Sequence, residues 1–158
     1  MLKKLICFFV FKTKGQITKT RLVEYIYLAD LYSVKWTGEQ LTNLNWYYYE
    51  YAPWHEDIDL ALSSMEEKKL IKILREESNL INIGESLQEI DSLNLPRSLV
   101  LILENIIKEW SRSSVKELSC YIHQTSPIID VGGKNNCHEK AKLNLYKERE
   151  LLLESLNR

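Results

Sequence analysis

The feature that most constrains this chain is a stretch that is apolar on nearly every side at helical spacing. Between Thr18 and Trp36, the residues Leu22, Tyr25, Ile26, Ala29, Tyr32 and Trp36 recur at i, i+3, i+4 and i+7 steps, which predicts a helix. Val23, Tyr27, Leu28, Leu31 and Val34 fall on the opposite face, where a surface helix would carry charge. Such a helix must be covered on several sides, so it is predicted to be the central element. Thr18 suits the N-cap, and Gly38 stands where a C′ glycine ends a helix.

Next comes Asn45 to Tyr51, which alternates as a strand. Trp46 and Tyr48 fall on one face, and Tyr47, Tyr49 and Tyr51 on the other. Ala52-Pro53 is predicted to end it, because proline cannot donate to a ladder. Pro53 then lies near the start of a second helix, whose apolar positions are Ile58, Ala61, Leu62 and Met65.

With these residues in place, the chain resembles the Panacea domain, the SocA-like antitoxin domain. The pattern is carried by Lys19, Arg21, Leu22, Tyr27, Leu28, Ala29 and Asp30, then Gly38, and then Tyr51 and Pro53 at the end of the aromatic strand. Ala52 stands where the family usually has glycine, so the turn here needs no positive φ at that position or is shaped differently. Thr125 and Pro127 match a threonine-x-proline element of the family. The resemblance implies an antitoxin that neutralises a toxin encoded beside it by direct contact. In one branch the domain is an adaptor that hands its toxin to an ATP-dependent protease. The domain also occurs in prophages and alone, so an orphan or phage role belongs to the same reading. The family offers no catalytic role for Lys19, Arg21 or Asp30.

The chain has 158 residues, enough for one domain spanning 1–158 with a real core. Lys plus Arg is 21 against 22 for Asp plus Glu, a net charge of −1, which provides no electrostatic footprint for nucleic acid or an anionic membrane. Three cysteines, Cys7, Cys120 and Cys137, do not make a disulfide framework and suit a reducing cytosol. Lys3-Lys4 before the apolar run Leu5 to Phe11 imitates a short signal peptide. The run is brief, Lys12 and Lys14 follow it without a small-residue cleavage site, and it is far too short to span a bilayer. A buried first helix from Leu2 to about Lys14, ended by Gly15, is expected instead, with a strand as the competing reading because the run is aromatic-rich.

Further on, Leu70 to Leu74 and Leu80 to Ile83 flank Arg75-Glu76-Glu77-Ser78-Asn79 and read as a β-hairpin. With the aromatic strand it makes a three-stranded antiparallel sheet. Gly84 to Asn94 reads as a loop. Pro96 opens a helix to about Arg112, with Leu99, Leu103, Ile106, Ile107 and Trp110 on one face. Ser114 and Glu117 form a capping box for a helix to about Gln124, with Val115, Leu118, Ile122 and Thr125 as its core face. Ser126-Pro127 stops that helix. Val131 to Asn136 is turn-rich, and a last helix from about His138 to Leu156 is expected to bury Ala141, Leu145, Leu152 and Leu156.

The residues that could carry chemistry do not assemble into a reaction. Cys120-x-x-His123 with Cys137-His138 supplies zinc donors, but adjacent Cys137-His138 chelates one ion poorly and no C-x-x-C is present. Semi-buried thiols and surface imidazoles explain these residues, so no metal or other cofactor is expected. Cys120 near His123 lacks an orienting acid and an oxyanion hole. His55-Glu56-Asp57 is accounted for by the dipole of the helix it begins. Gly132-Gly133-Lys134 lacks phosphate-loop spacing. Asp30, inside the central helix, needs a partner.

The expectation is therefore a predominantly helical α+β domain with about six helices and a small antiparallel sheet or hairpin, without enzymatic activity. Large aromatic residues are favoured at interface hot spots. One face of the aromatic strand is free for this use, which nominates Trp54, Tyr47 and Tyr49 as partner-binding residues. A winged-helix DNA reader is the alternative from another class. It would need a basic recognition helix, whereas the helix before the hairpin carries Glu56, Asp57, Asp59, Glu66 and Glu67.

Overall fold

The computed structural model describes residues 1–86, 93–136 and 139–158. Its elements are α1 (Leu2–Lys12), β1 (Ile17–Thr18), α2 (Lys19–Thr37), β2 (Tyr47–Tyr49), β3 (Ala52–Trp54), α3 (Glu56–Glu67), β4 (Ile71–Leu74), β5 (Leu80–Ile83), α4 (Arg97–Trp110), α5 (Val115–His123), α6 (Ser126–Asp130), β6 (Ala141–Lys142) and α7 (Tyr146–Leu156). Two short 3-10 turns, Arg75–Glu77 and Gly133–Asn136, lie between them. This is a predominantly helical α+β fold, with seven α-helices among the described residues rather than about six.

The centre is α2, as its pattern requires. It touches α1, α4, α5, α7, β1 and β3, and every residue from Tyr25 to Leu31 is buried. Thr18 caps it by accepting from the Arg21 N–H, and Gly38 ends it at φ 82. Only its end departs from the expected stripe. Trp36 is 63% exposed, lining a surface groove with Ile102 of α4 and Tyr121 of α5 rather than packing in the core. The early apolar run is α1, with Leu5 to Val10 buried. Gly15 ends that segment at φ 71, where an added Cβ would lie 2.1 Å from the Asn82 side chain. No helix among the described residues is long and apolar enough to cross a membrane.

The β-structure is divided differently from the expectation. The Ile71–Ile83 hairpin forms, but its third strand is β1, in the order β1-β5-β4, with Ile17 opposite Ile81. The aromatic strand belongs to a second antiparallel sheet, ordered β3-β2-β6. It stops at Tyr49, turns at Glu50-Tyr51, and returns as β3 with Tyr47 opposite Trp54. Both turn residues have positive φ, 49° at Glu50 and 67° at Tyr51, as in a type I′ hairpin loop. Ala52 is not at positive φ, so the family's glycine is dispensable there. Pro53 lies inside a strand rather than at a helix start. It is tolerated because β3 is an edge, where the missing N–H interrupts no ladder.

The C-terminal segment also differs. Of the helix expected from His138, which itself lies outside the described residues, residues 139–145 are not helical. Ala141–Lys142 pairs with β2, Leu143 N–H donates to the Trp46 carbonyl at 2.8 Å, and α7 begins only at Tyr146. Leu143 and Leu145 are buried, but Leu156 is 72% exposed, so the expected apolar stripe is not a core face. Val115 is exposed too, at the first position of α5, whereas Leu118, Ile122 and Thr125 are buried. Ser126-Pro127 ends α5 and opens the short helix α6. The Gly84–Asn94 loop lies partly outside the described residues.

Candidate partner-binding site

The residues that carry the sequence pattern are joints of the fold. Lys19 forms an ion pair with Asp59 of α3. The Arg21 guanidinium donates to the carbonyls of Trp110 and Ser113, clamping the end of α4 to α2. The Tyr27 hydroxyl lies 2.8 Å from that of Thr125, tying α2 to the threonine-x-proline turn. Asp30 accepts from the N–H groups of Leu41 and Thr42 at 3.1 and 2.9 Å, from Gln40 Nε2 at 3.2 Å, from Trp46 Nε1 at 2.8 Å, and from the Thr42 hydroxyl. Its partners are therefore in the loop after α2, not Lys19 or Arg21. Burial raises the Asp30 carboxyl above its ordinary range, and these donors pull it back. Each of these residues therefore has a structural partner.

The aromatic hairpin sorts its rings as the alternation requires. Trp46 and Tyr48 are buried, while Tyr47, Tyr49 and Trp54 are half-buried. The cross-strand register brings the three nominated residues onto one face. Tyr47 stacks on His55 with ring centres 6.2 Å apart, Trp54 stacks on the same imidazole at 6.3 Å, and Tyr49 lies 5.9 Å from Trp54. His55 is also the N-cap of α3, accepting from the Asp57 N–H at 3.0 Å, so the row is anchored to a helix. Lys140 crosses this face, its ammonium 4.5 Å from the Trp54 ring centre and 5.4 Å from that of Tyr49.

A cleft of about 370 Å³ opens beside the hairpin. Lys19, Val23 and Glu24 of α2 form one side, Tyr49, Glu50, Pro53 and Trp54 the other, and Asn79 closes an end. Glu24 is buried, and its Oε2 has no hydrogen-bond partner. Burial pushes its carboxyl up to about 7, with the Arg21 charge pulling the other way. Sequence reasoning missed Glu24 and Lys140. A glutamate on a helix reads as a solvated charge, and Lys140 reaches the rings only because β6 pairs with β2. The one available signal was that Glu24 lies between Val23 and Tyr25 on a helix apolar all round.

Cys120 and His123, two of the residues considered as zinc donors, are not part of this aromatic row. Cys120 is exposed. His123 is not a surface imidazole: its Nε2 is 2.8 Å from the Tyr48 hydroxyl and its Nδ1 is 2.7 Å from the Ser119 carbonyl. Cys137 and His138 lie outside the described residues. Among the described residues, no group of three or more His, Cys, Asp and Glu side chains could hold a metal ion.

The central helix, the aromatic hairpin and the threonine-proline turn are also the span recognised by a family model. The model described as Antitoxin SocA-like, Panacea domain, matches residues 22–127, well over half of the chain. This chain belongs to that family. Its Panacea domain match runs from Leu22 on α2 to Pro127 at the start of α6, and includes Glu24, the aromatic hairpin and the joints made by Asp30 and Thr125. Lys140 and α7 lie beyond the matched span of the Panacea domain. No curated protein and no solved structure matches the chain.

Proposed function

We propose that this Panacea domain is an antitoxin whose binding surface is the aromatic hairpin, and that it works by contact rather than catalysis. The observation that carries this reading is the row Tyr47, His55, Trp54 and Tyr49, held half-buried on one face by strand pairing and a helix cap. Rings fixed this way lose little entropy on binding, and such residues dominate interface energetics at about 2 kcal/mol or more each. Of the joints that carry the family pattern, Tyr27, Asp30 and Thr125 are buried away from this surface. A surface free of those joints is open to vary with the partner, which suits a family whose toxins are diverse.

The partner is a toxin encoded beside this chain. Blocking and proteolytic delivery would use the same face and differ in the toxin's fate. An adaptor also meets an ATP-dependent protease, and its toxin disappears only in cells that contain that protease. Co-expression with the adjacent toxin gene tests the reading. Wild type is expected to restore growth and co-purify with the toxin, and Trp54→Ala is expected to lose both at matched expression. Equal rescue by the two would move the surface elsewhere. Failure of wild type to bind or rescue would remove the antitoxin reading and favour an orphan or phage role.

The DNA-reading alternative gains little from the geometry. The first turn of α3 carries Glu56, Asp57 and Asp59, and Arg75 in the β4–β5 turn is paired with Glu66.

A further inference from the structure

The α2 helix buries two carboxylates and treats them oppositely. Asp30 receives five hydrogen bonds, whereas Glu24, 5% exposed, keeps Oε2 without any partner. An unsatisfied buried acceptor is costly, and a buried charge without a partner is costlier still. The fold that serves Asp30 so fully leaves Glu24 at the side of a cleft that borders the aromatic hairpin. The volume of that cleft, about 370 Å³, lies within the range of small-ligand sites.

The opposite wall suits a cation. Trp54 and Tyr49 already hold the Lys140 ammonium against their faces. Lys19 and Arg21 make no ion pair with Glu24: the Lys19 ammonium is committed to Asp59, and the Arg21 guanidinium, although its charge acts on the Glu24 carboxyl, donates to carbonyls of α4 and its following turn. A planar, weakly hydrated guanidinium fits such a place better than an ammonium. It can fork onto a carboxylate while stacking on an indole.

We infer that this cleft is an anchoring pocket for an arginine side chain of the partner protein, its guanidinium pairing with Glu24 and its plane resting on Trp54. The inference rests on the hairpin being the partner surface, and it specifies the chemistry that surface selects.

The probe is N-acetyl-arginine N-methylamide, titrated into the full chain labelled with nitrogen-15 and followed at the Trp54 indole N–H. The matching citrulline compound, nearly the same shape without charge, is the control. The arginine probe is expected to shift Trp54 saturably and to bind at least tenfold tighter than citrulline. Glu24→Gln, with a native-like spectrum, is expected to lose at least tenfold, about 1.4 kcal/mol. Lys140→Ala, an exposed change outside the cleft lining, is expected to bind at least as tightly as wild type, and it does not depend on the fold tolerating a core substitution. No saturable shift, equal binding of citrulline, or an unaffected Glu24→Gln overturns the pocket. Toxin capture separates the two readings. If Trp54→Ala weakens capture and Glu24→Gln does not, the hairpin surface stands and the arginine pocket falls. If the arginine probe binds as expected while neither variant changes capture, the pocket stands and the antitoxin surface falls.

Discussion

Trp46 Nε1 donates to Asp30 Oδ2 at 2.8 Å inside a closed core, linking the start of the aromatic hairpin to the middle of α2. Asp30 is 0% and Trp46 1% exposed. Through this carboxylate the loop from Gly38 to Asn45 is folded back on the helix and the hairpin is aimed. Asp30→Ala leaves the Leu41 and Thr42 N–H groups and the Trp46 indole without their acceptor. Each orphaned donor costs about 1–3 kcal/mol, so a loss of at least about 3 kcal/mol is expected by urea denaturation. A loss below about 1 kcal/mol would show that the loop does not depend on this residue.

Arg21 makes a second joint, with its fork on the carbonyls of Trp110 and Ser113. Arg21→Lys keeps the charge but has no planar fork to reach both carbonyls. It is expected to destabilise by about 1–3 kcal/mol. Hydrogen exchange should quicken first in the last turn of α4. Uniform quickening across the whole chain would argue against a local joint.

Glu24 links stability to pH. Its carboxyl, raised to about 7 by burial, holds a proton more tightly in the folded chain than in the unfolded one. Stability from this group is therefore fully present below about pH 4.5 and is lost as pH rises toward 7. Glu24→Gln is expected to abolish that slope and to be the more stable protein at pH 8 by about 1–3 kcal/mol. Parallel stability curves for the two proteins between pH 5 and 8, measured by denaturant melts, would contradict it.

Much of the helical frame was legible because its signals are local. The periodicity of α2, the Thr18 cap, the Gly38 stop and the Ser114 cap, which accepts from the Glu117 N–H at 3.1 Å, all lie within a few residues of what they control. The hairpin at Glu50-Tyr51 was hidden because neither residue is Gly, Asn or Asp, the usual occupants of a type I′ loop. There, strand pairing on both sides overrides the local cost of positive φ, about 1–2 kcal/mol per residue. The β6 strand was hidden for a related reason. Two residues long, it exists only through its pairing with Tyr47 and Tyr48, far away in sequence, while its own neighbourhood has helical composition. In the candidate site, period-2 alternation was enough to say that Tyr47 and Tyr49 turn away from Trp46 and Tyr48. The cleft was out of reach, since α2, the hairpin and Asn79 meet there only in three dimensions.

Duplex DNA binding is expected to be absent. The start of α3 concentrates acidic charge, and the whole chain is at −1. A fluorescence-anisotropy titration with the chain's own upstream DNA should show no saturable binding at moderate salt. A sub-micromolar, salt-dependent complex would favour the winged-helix reading instead.

The central claim is that the aromatic hairpin holds the toxin. Its most direct measurement is isothermal titration of the purified toxin from the adjacent gene with wild type and with Trp54→Ala, alongside thermal melts of both. The expected result is a dissociation constant at least tenfold weaker for Trp54→Ala, about 1.4 kcal/mol, at an unchanged melting temperature. Equal dissociation constants for the two proteins would contradict the account.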